Sequence, residues 1–380
     1  MIAALQHFVP MVSSSLSSLP LSRRHLGVLA GACAGAMMVP ALLPAHGQAD
    51  DRAVLRIAAA GLSSVAQLPL VIARELDFFA HEGARVQVLE YPGNAQALQA
   101  VHQGDADLCC SAFGDVVRLQ SQGREHCCIA LLSRTPQLAL AVLPARWKLL
   151  SARDFEGLRV GVASAGDASH YLASLWLRAQ GVDLRRVRFV SIGEGAEALQ
   201  AVKAYRVDAL CLADPVVAQL EQMQQVRVLV DARSLPDVAL PEIAGMTVPG
   251  MCLHAPRVWL EQQRDGRQTR AALQSAVQAM VRAMRWLQSA GPSDVVRTVP
   301  ATDLLGDRGV YLNAFQRAVT ALTFDGQMPP DGPQAMLRML STLPGMRALD
   351  RVALGKTYTN ALARKAAQKY ARHESGLMTL

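Results

Sequence analysis

Five short segments gather hydroxyl, amide and carboxylate side chains just past the ends of apolar runs. They are Gly61 to Gln67, Ser111 to Gly114, Ser164 to His170, Gly193-Glu194 and Asp214. Such a set can hydrogen-bond a small polar molecule, and it lacks a paired nucleophile and base. Ser164-Ala165-Gly166, ahead of an apolar helical run, is its sharpest part. Free N–H groups at a helix start favour an anionic oxygen group by ~0.3–1 kcal/mol from the dipole alone. Ser164 or Asp167 capping that same helix explains the segment equally well. Glu194 and Asp214 offer acceptors to an amino or ring N–H, and Asp214 ahead of Pro215 also suits an Asx-turn. Phe113 can stack on an organic ligand or join the core. His170 can touch ligand or pack its helix. Catalytic signatures do not appear: Val162 stands where a GxSxG elbow needs Gly, and there is no P-loop, GxGxxG or HExxH.

The elements that must hold these segments occur twice. Ala97-Leu98-Gln99-Ala100-Val101, followed by Asp107 and Cys110, recurs 101 residues later as Ala198-Leu199-Gln200-Ala201-Val202, followed by Asp208 and Cys211. Upstream, Leu55-Arg56-Ile57 matches Leu158-Arg159-Val160, and Val86 to Glu90 matches Val187 to Ser191. Each copy reads strand, helix, strand, helix, strand, the order that builds a parallel sheet. Two α/β lobes with a cleft between them follow, and ligands of open α/β sheets bind outside the carboxyl ends of the strands. After Leu253 the pattern is mostly helical, and this region is expected to pack back on the first lobe.

The N-terminus reads as an export signal over residues 1–49. Arg23-Arg24 precede an apolar run, Leu26 to Leu43, that holds three glycines and Pro40 and ends near small residues suited to cleavage. The net charge of +7 falls to +5 once the two arginines of that segment are removed, with Lys and Arg spread along the chain rather than blocked as in nucleic-acid binders. The basic end, residues 368–380, reads as a solvated helix end or tail. Of the seven cysteines, six follow the signal. Neither Cys-x-x-Cys nor a zinc-type His spacing is present. Cys109-Cys110 and Cys127-Cys128 lie in strand-like runs, so each pair should split between the two faces of a sheet. Buried thiols, a disulfide and a metal site all remain open.

Several stretches together resemble the substrate-binding proteins of nitrate, sulfonate and taurine type ABC importers. They are Leu68-Pro69 through Asp77-Phe78-Phe79 to Gly83 (with Asp77 where that family usually has Gly), Gln103-Gly104-Asp105-Ala106-Asp107, Leu158 to Val162 with Ser164 to Ser169, and Val207-Asp208-Ala209 through Asp214-Pro215. Thr323 to Pro330 and Lys356 to Asn360 resemble it more loosely. The resemblance implies a two-lobed, type II periplasmic binding protein with parallel-rich sheets flanked by helices. Residues 53–137 with 255–367 would form one lobe and 138–254 the other. It also implies a pocket at Ser63, Gln67, Ser111, Phe113, Ser164, Gly166, His170, Glu194 and Asp214. The ligand would be a small organic anion, sulfonate- or taurine-like, held by a periplasmic monomer without cofactor or metal and passed to an ABC permease in the inner membrane. Nucleic acid is not an expected partner. A pyrimidine-binding or thiamine-precursor synthase-like protein, and a ligand sensor for a membrane receptor, are the competing readings.

Overall fold

The structure, a computed structural model, describes residues 54–377 except 147, 149–151, 235–244, 264–265, 344–345 and 347. The export-signal reading of residues 1–49 therefore lies outside the described residues. Ten strands are formed among them: β1 Val54–Ala60, β2 Arg85–Tyr91, β3 Leu108–Ala112, β4 His126–Leu131, β5 Leu138–Val142, β6 Arg159–Val162, β7 Arg188–Ser191, β8 Ala209–Ala213, β9 Arg227–Ala232 and β10 Met251–Pro256. The helices that interleave the first nine strands are α1 Leu68–Glu75, α2 Phe78–His81, α3 Asn94–Gln103, α4 Phe113–Ser121, α5 Ala168–Ala179, α6 Gly195–Lys203 and α7 Val216–Gln222. After β10 come α8 Arg257–Gln262, α9 Arg267–Ser289, α10 Pro292–Thr298, α11 Arg308–Val319, α12 Gly332–Ser341 and α13 Ala361–Leu377.

Two five-stranded sheets result, ordered β2-β1-β3-β10-β4 and β7-β6-β8-β5-β9. In each, the strands of the duplicated unit run parallel. The exception is the strand that arrives from the other lobe, which enters antiparallel: β10 in the first sheet, β5 in the second. A chain crossing the cleft enters at the carboxyl ends of the strands already there, so it must run against them. The result is the expected type II architecture. Leu138 does open the second sheet, but β10 belongs to the first. The return crossing therefore precedes Met251, rather than falling between residues 254 and 255.

The duplication is also one of register. Ile57 pairs with Leu108 in the first sheet and its counterpart Val160 with Ala209 in the second. The repeated Arg and Asp explain how. Asp107 accepts from the Arg56 backbone N–H at 2.8 Å and from its guanidinium at 2.9 and 3.2 Å. Asp208 does the same for Arg159, at 3.0, 2.9 and 3.3 Å. Each carboxylate thus pins the first strand of its lobe beside the third. The repeated helices bury the small and apolar face of their shared pattern: Ala97, Leu98, Ala100 and Val101 in α3, Ala198, Ala201 and Val202 in α6.

The long helix α9 lies in the first lobe's core with β1 and α1, as expected of the C-terminal region. Residues 368–377 lie on α13. α13 continues to Leu377, and its Lys369 and Tyr370 meet the buried Glu82 together with Arg282 of α9. Between the lobes the two crossings run side by side: Gly250 N–H donates to Ser133 O at 2.9 Å and Met251 N–H to Ser133 Oγ at 2.9 Å. A Cβ on Gly250 would stand 1.9 Å from Thr135 O, so only glycine allows this approach. Among the described residues no helix is long and apolar enough to cross a membrane.

Candidate functional site

The carboxyl ends of β1, β3 and β8 (Ala60, Ala112, Ala213) and the first residues of β5 and β10 (Leu138, Met251) surround a cavity of about 90 Å³ between the lobes. It lies where open α/β sheets bind ligands, with room for a few water-sized groups. Met251, Met336, Met339, Leu172 and Tyr171 give it an apolar, deformable wall. Its polar lining is made by Ser64, Gln67, Asp167, Ser169, Tyr171 and Glu194, two of them carboxylates. None of the described residues that line it is Lys, Arg or His.

Gln67 follows β1 on a short turn that Ser64 caps by accepting from Ala66 N–H. Its amide nitrogen donates to Ala60 O and Cys110 O, both at 3.1 Å. Two carbonyl partners fix which amide atom is nitrogen. The oxygen Oε1 is left buried without a partner. An unpaired buried acceptor costs roughly 1–3 kcal/mol, so the position is strained in favour of a donor.

Glu194 precedes α6 and reaches across to the first lobe. Its Oε2 lies 1.3 Å from where a Cβ on Gly61 would stand. The residue keeps solvent access along the cleft, yet its carboxyl is sunk against Gly61. Removal from water, with Asp167 and Glu90 nearby, raises its pKa to about 7. Asp167 is also raised by burial, to about 6, although Ser169 Oγ and two backbone N–H groups donate to it.

Those donors belong to the helix start at which an anion seat was expected, around Ser164. Ser164 N–H and His170 N–H both bind the Asp167 carboxylate at 3.0 Å. Ala163 N–H binds Ser169 Oγ at 2.9 Å, Ala165 N–H binds Ser191 Oγ at 3.0 Å and Gly166 N–H binds His170 Nδ1 at 2.9 Å. The chain's own side chains thus take up these five N–H groups, and Asp167 caps the helix.

The other expected pocket residues are spread around the cavity. Ser63 sits under the opposite loop, with Oγ 2.9 Å from a Cβ placed on Gly195. Ser111 Oγ bonds His254 Nε2 at 2.9 Å. Phe113 is fully buried in a core shared with Val116 and Met336. His170 packs on Phe189, ring centres 4.2 Å apart, and beside Tyr171. Asp214 is buried, caps α7 through Ala218 N–H at 2.9 Å and pairs with Arg233 at 3.2 Å. Gln67 and Glu194 are thus the expected residues that line the cavity. Asp167 came within the sequence reading only as a cap. The methionine wall left no signal there, because α12 lies over 70 residues from the strands it covers.

The cysteines carry no chemistry of their own. All six are free and buried, and Cys109 and Cys110 fall in different core clusters on opposite sheet faces. Burial raises the thiols of Cys109, Cys110, Cys127 (to about 12), Cys211 and Cys252, which suppresses their nucleophilic thiolate forms. Among the described residues no group of three His, Cys, Asp or Glu could hold a metal.

Two α/β lobes that meet across a small cavity at their strand ends give the chain the periplasmic binding protein fold. The chain belongs to the NMT1/THI5 like family, whose model matches residues 65–282. A Bordetella bronchiseptica RB50 protein of known structure is 32% identical, with a TM-score of 0.78 over 84% of this chain and 98% of that one. The alkanesulfonate-binding protein SsuA of Xanthomonas axonopodis pv. citri, bound to MOPS, shares the fold at 18% identity and a TM-score of 0.62, over 81% and 98% of the two chains. The periplasmic nitrate-binding protein NrtA of Synechocystis PCC 6803 does so at 13% and 0.65, over 84% and 89%. The resemblance to binding proteins of nitrate and sulfonate importers is therefore met at the level of fold. No curated protein matches the chain.

Proposed function

We propose that this chain is the periplasmic solute-binding component of an ABC importer. In this reading it is exported by the twin-arginine segment in residues 1–49, closes its lobes on a small organic molecule and delivers it to a permease. The ligand is a compact, neutral or cationic molecule with N–H donors, such as an aminopyrimidine or an amidine, rather than a simple sulfonate. One observation carries the ligand class: Gln67 presents a buried, unpartnered acceptor to a cavity whose described lining holds carboxylates and no cation. A sulfonate would meet Glu194 and Asp167 with like charge, and the N–H groups of Ser164 and His170 that could have compensated it are bonded to Asp167.

Thermal denaturation of residues 50–380 with 4-aminopyrimidine, acetamidine and ethanesulfonate tests the reading. A ligand of the native state adds RT ln(1 + [L]/Kd), ~2.7 kcal/mol at a hundredfold excess over Kd. Stabilisation by either donor-bearing probe, and none by ethanesulfonate, is expected. Stabilisation by ethanesulfonate alone would overturn the ligand class while leaving the binding role intact.

A further inference from the structure

Beside the two crossings, on the second lobe's side, three carboxylates share one buried arginine. Arg233, 3% exposed, reaches Asp214 at 3.2 Å, Glu221 at 2.6 Å and Asp231 at 2.6 Å. The second lobe alone therefore leaves this corner with two uncompensated negative charges. Arg317 of α11, a helix packed in the first lobe's core, supplies a further positive charge. Its guanidinium stands 3.2 Å from Glu221 Oε2 and 3.6 Å from Asp214 Oδ2, and that Oδ2 is otherwise without a hydrogen-bond partner. Two further contacts cross the seam here: Val65 N–H donates to Asp214 O at 3.0 Å, and Ala218 of α7 is buried in the first lobe's cluster.

We propose that Arg317 is a positioning residue that holds the second lobe against the first and so sets the fraction of closed protein, without touching ligand. It does not line the cavity, so its effect on binding is through closure alone. The carboxylate cluster repels itself when the seam parts and has one of its two uncompensated charges offset by Arg317 when it shuts, which biases the equilibrium before any ligand arrives.

Closure can be read without ligand. Tyr205 on the second lobe and Val258 on the first are exposed, at 78% and 62%, and the six native cysteines that follow residue 49 are buried. A Tyr205→Cys, Val258→Cys chain carrying two spin labels therefore reports the interlobe distance. Arg317→Met should lower the closed-to-open ratio about threefold or more, the scale of one or two partly exposed ion pairs. Arg317→Lys should recover part of it. In the labelled chain with Arg317 intact, raising the salt from 0.05 to 1 M should lower the ratio too, a test that needs no variant to fold. Distance distributions that are unchanged both by salt and by Arg317→Met would overturn the proposal, whatever ligand the cleft takes.

Discussion

At the scale of single residues, the cleft is described by what its polar atoms lack. Gln67 Oε1 and the Glu194 carboxyl are acceptors in search of donors, so Gln67→Ala and Glu194→Gln should each weaken 4-aminopyrimidine binding about tenfold, within the roughly 1–3 kcal/mol of one hydrogen bond to a buried group. Titration calorimetry checks this, and undiminished affinity in both variants would place the ligand elsewhere. Acetamidine keeps its charge near neutrality and needs the carboxylate forms, so its affinity should rise as pH climbs through about 6 to 7, where Asp167 and Glu194 lose their protons. Stability follows a different pair. His126 and His254 face each other at 2.9 Å between Nδ1 atoms, and burial lowers both to about 3. The unfolded chain takes up these protons first, near pH 6.5, and the folded chain resists. Their contribution is full above 6.5 and is lost as pH falls towards 3. The cleft carboxyls act in the opposite sense, since raised folded values favour the protonated native state and that gain is lost as pH rises through 6 to 7. Urea titrations at pH 4, 5 and 7 should therefore show a fall below pH 6 that His126→Gln with His254→Gln makes shallower.

At the scale of elements, most of the architecture was legible and most of the packing was not. The doubled Arg56/Asp107 and Arg159/Asp208 pattern fixed two copies of one register, because a carboxylate that caps a strand's N–H and pairs its guanidinium leaves no freedom to slip. Capping and termination were legible for the same local reason, as with Pro69 at the start of α1 and Gly104 ending α3 at φ 83°. What the sequence could not show is which strand joins which sheet. β5 and β10 are apolar runs like any other, and their antiparallel entry follows from chain crossings rather than from composition. The same blindness hid the methionine wall. Asp77 offers a test at this scale. It holds φ 51° between α1 and α2, and it makes no cap bond there. Left-handed backbone costs a non-glycine residue roughly 1 kcal/mol, so Asp77→Gly should raise the midpoint of thermal unfolding by a few degrees. A lowered midpoint would show that the carboxylate contributes more than the backbone strain removes.

At the scale of the whole molecule, the lobes meet through two glycine-bearing loops that interlock. Gly61 of the first lobe makes room for Glu194 of the second, and Gly195 of the second makes room for Ser63 of the first. Both glycines hold left-handed backbone, φ 62° and 56°, so a side chain at either is strained as well as crowded. Gly61→Ala puts a methyl where the Glu194 carboxylate lies when the lobes are shut, whereas in an open chain that space is solvent. The substitution should therefore act on closure more than on folding. Its cost to the unliganded protein is expected at about 1 kcal/mol, the ordinary penalty for alanine at positive φ. Its cost to 4-aminopyrimidine affinity should exceed tenfold, because the binding-competent state is depopulated and apparent affinity scales with the competent fraction. Removing the obstructed group separates this from a local distortion of the β1 loop. In Gly61→Ala with Glu194→Ala the methyl has space, so the double variant should bind better than the product of the two single losses allows, by a coupling that a double-mutant cycle measures. Strictly multiplicative losses would mean that Gly61 and Glu194 act independently, and that the lobes can bind ligand without bringing these loops together.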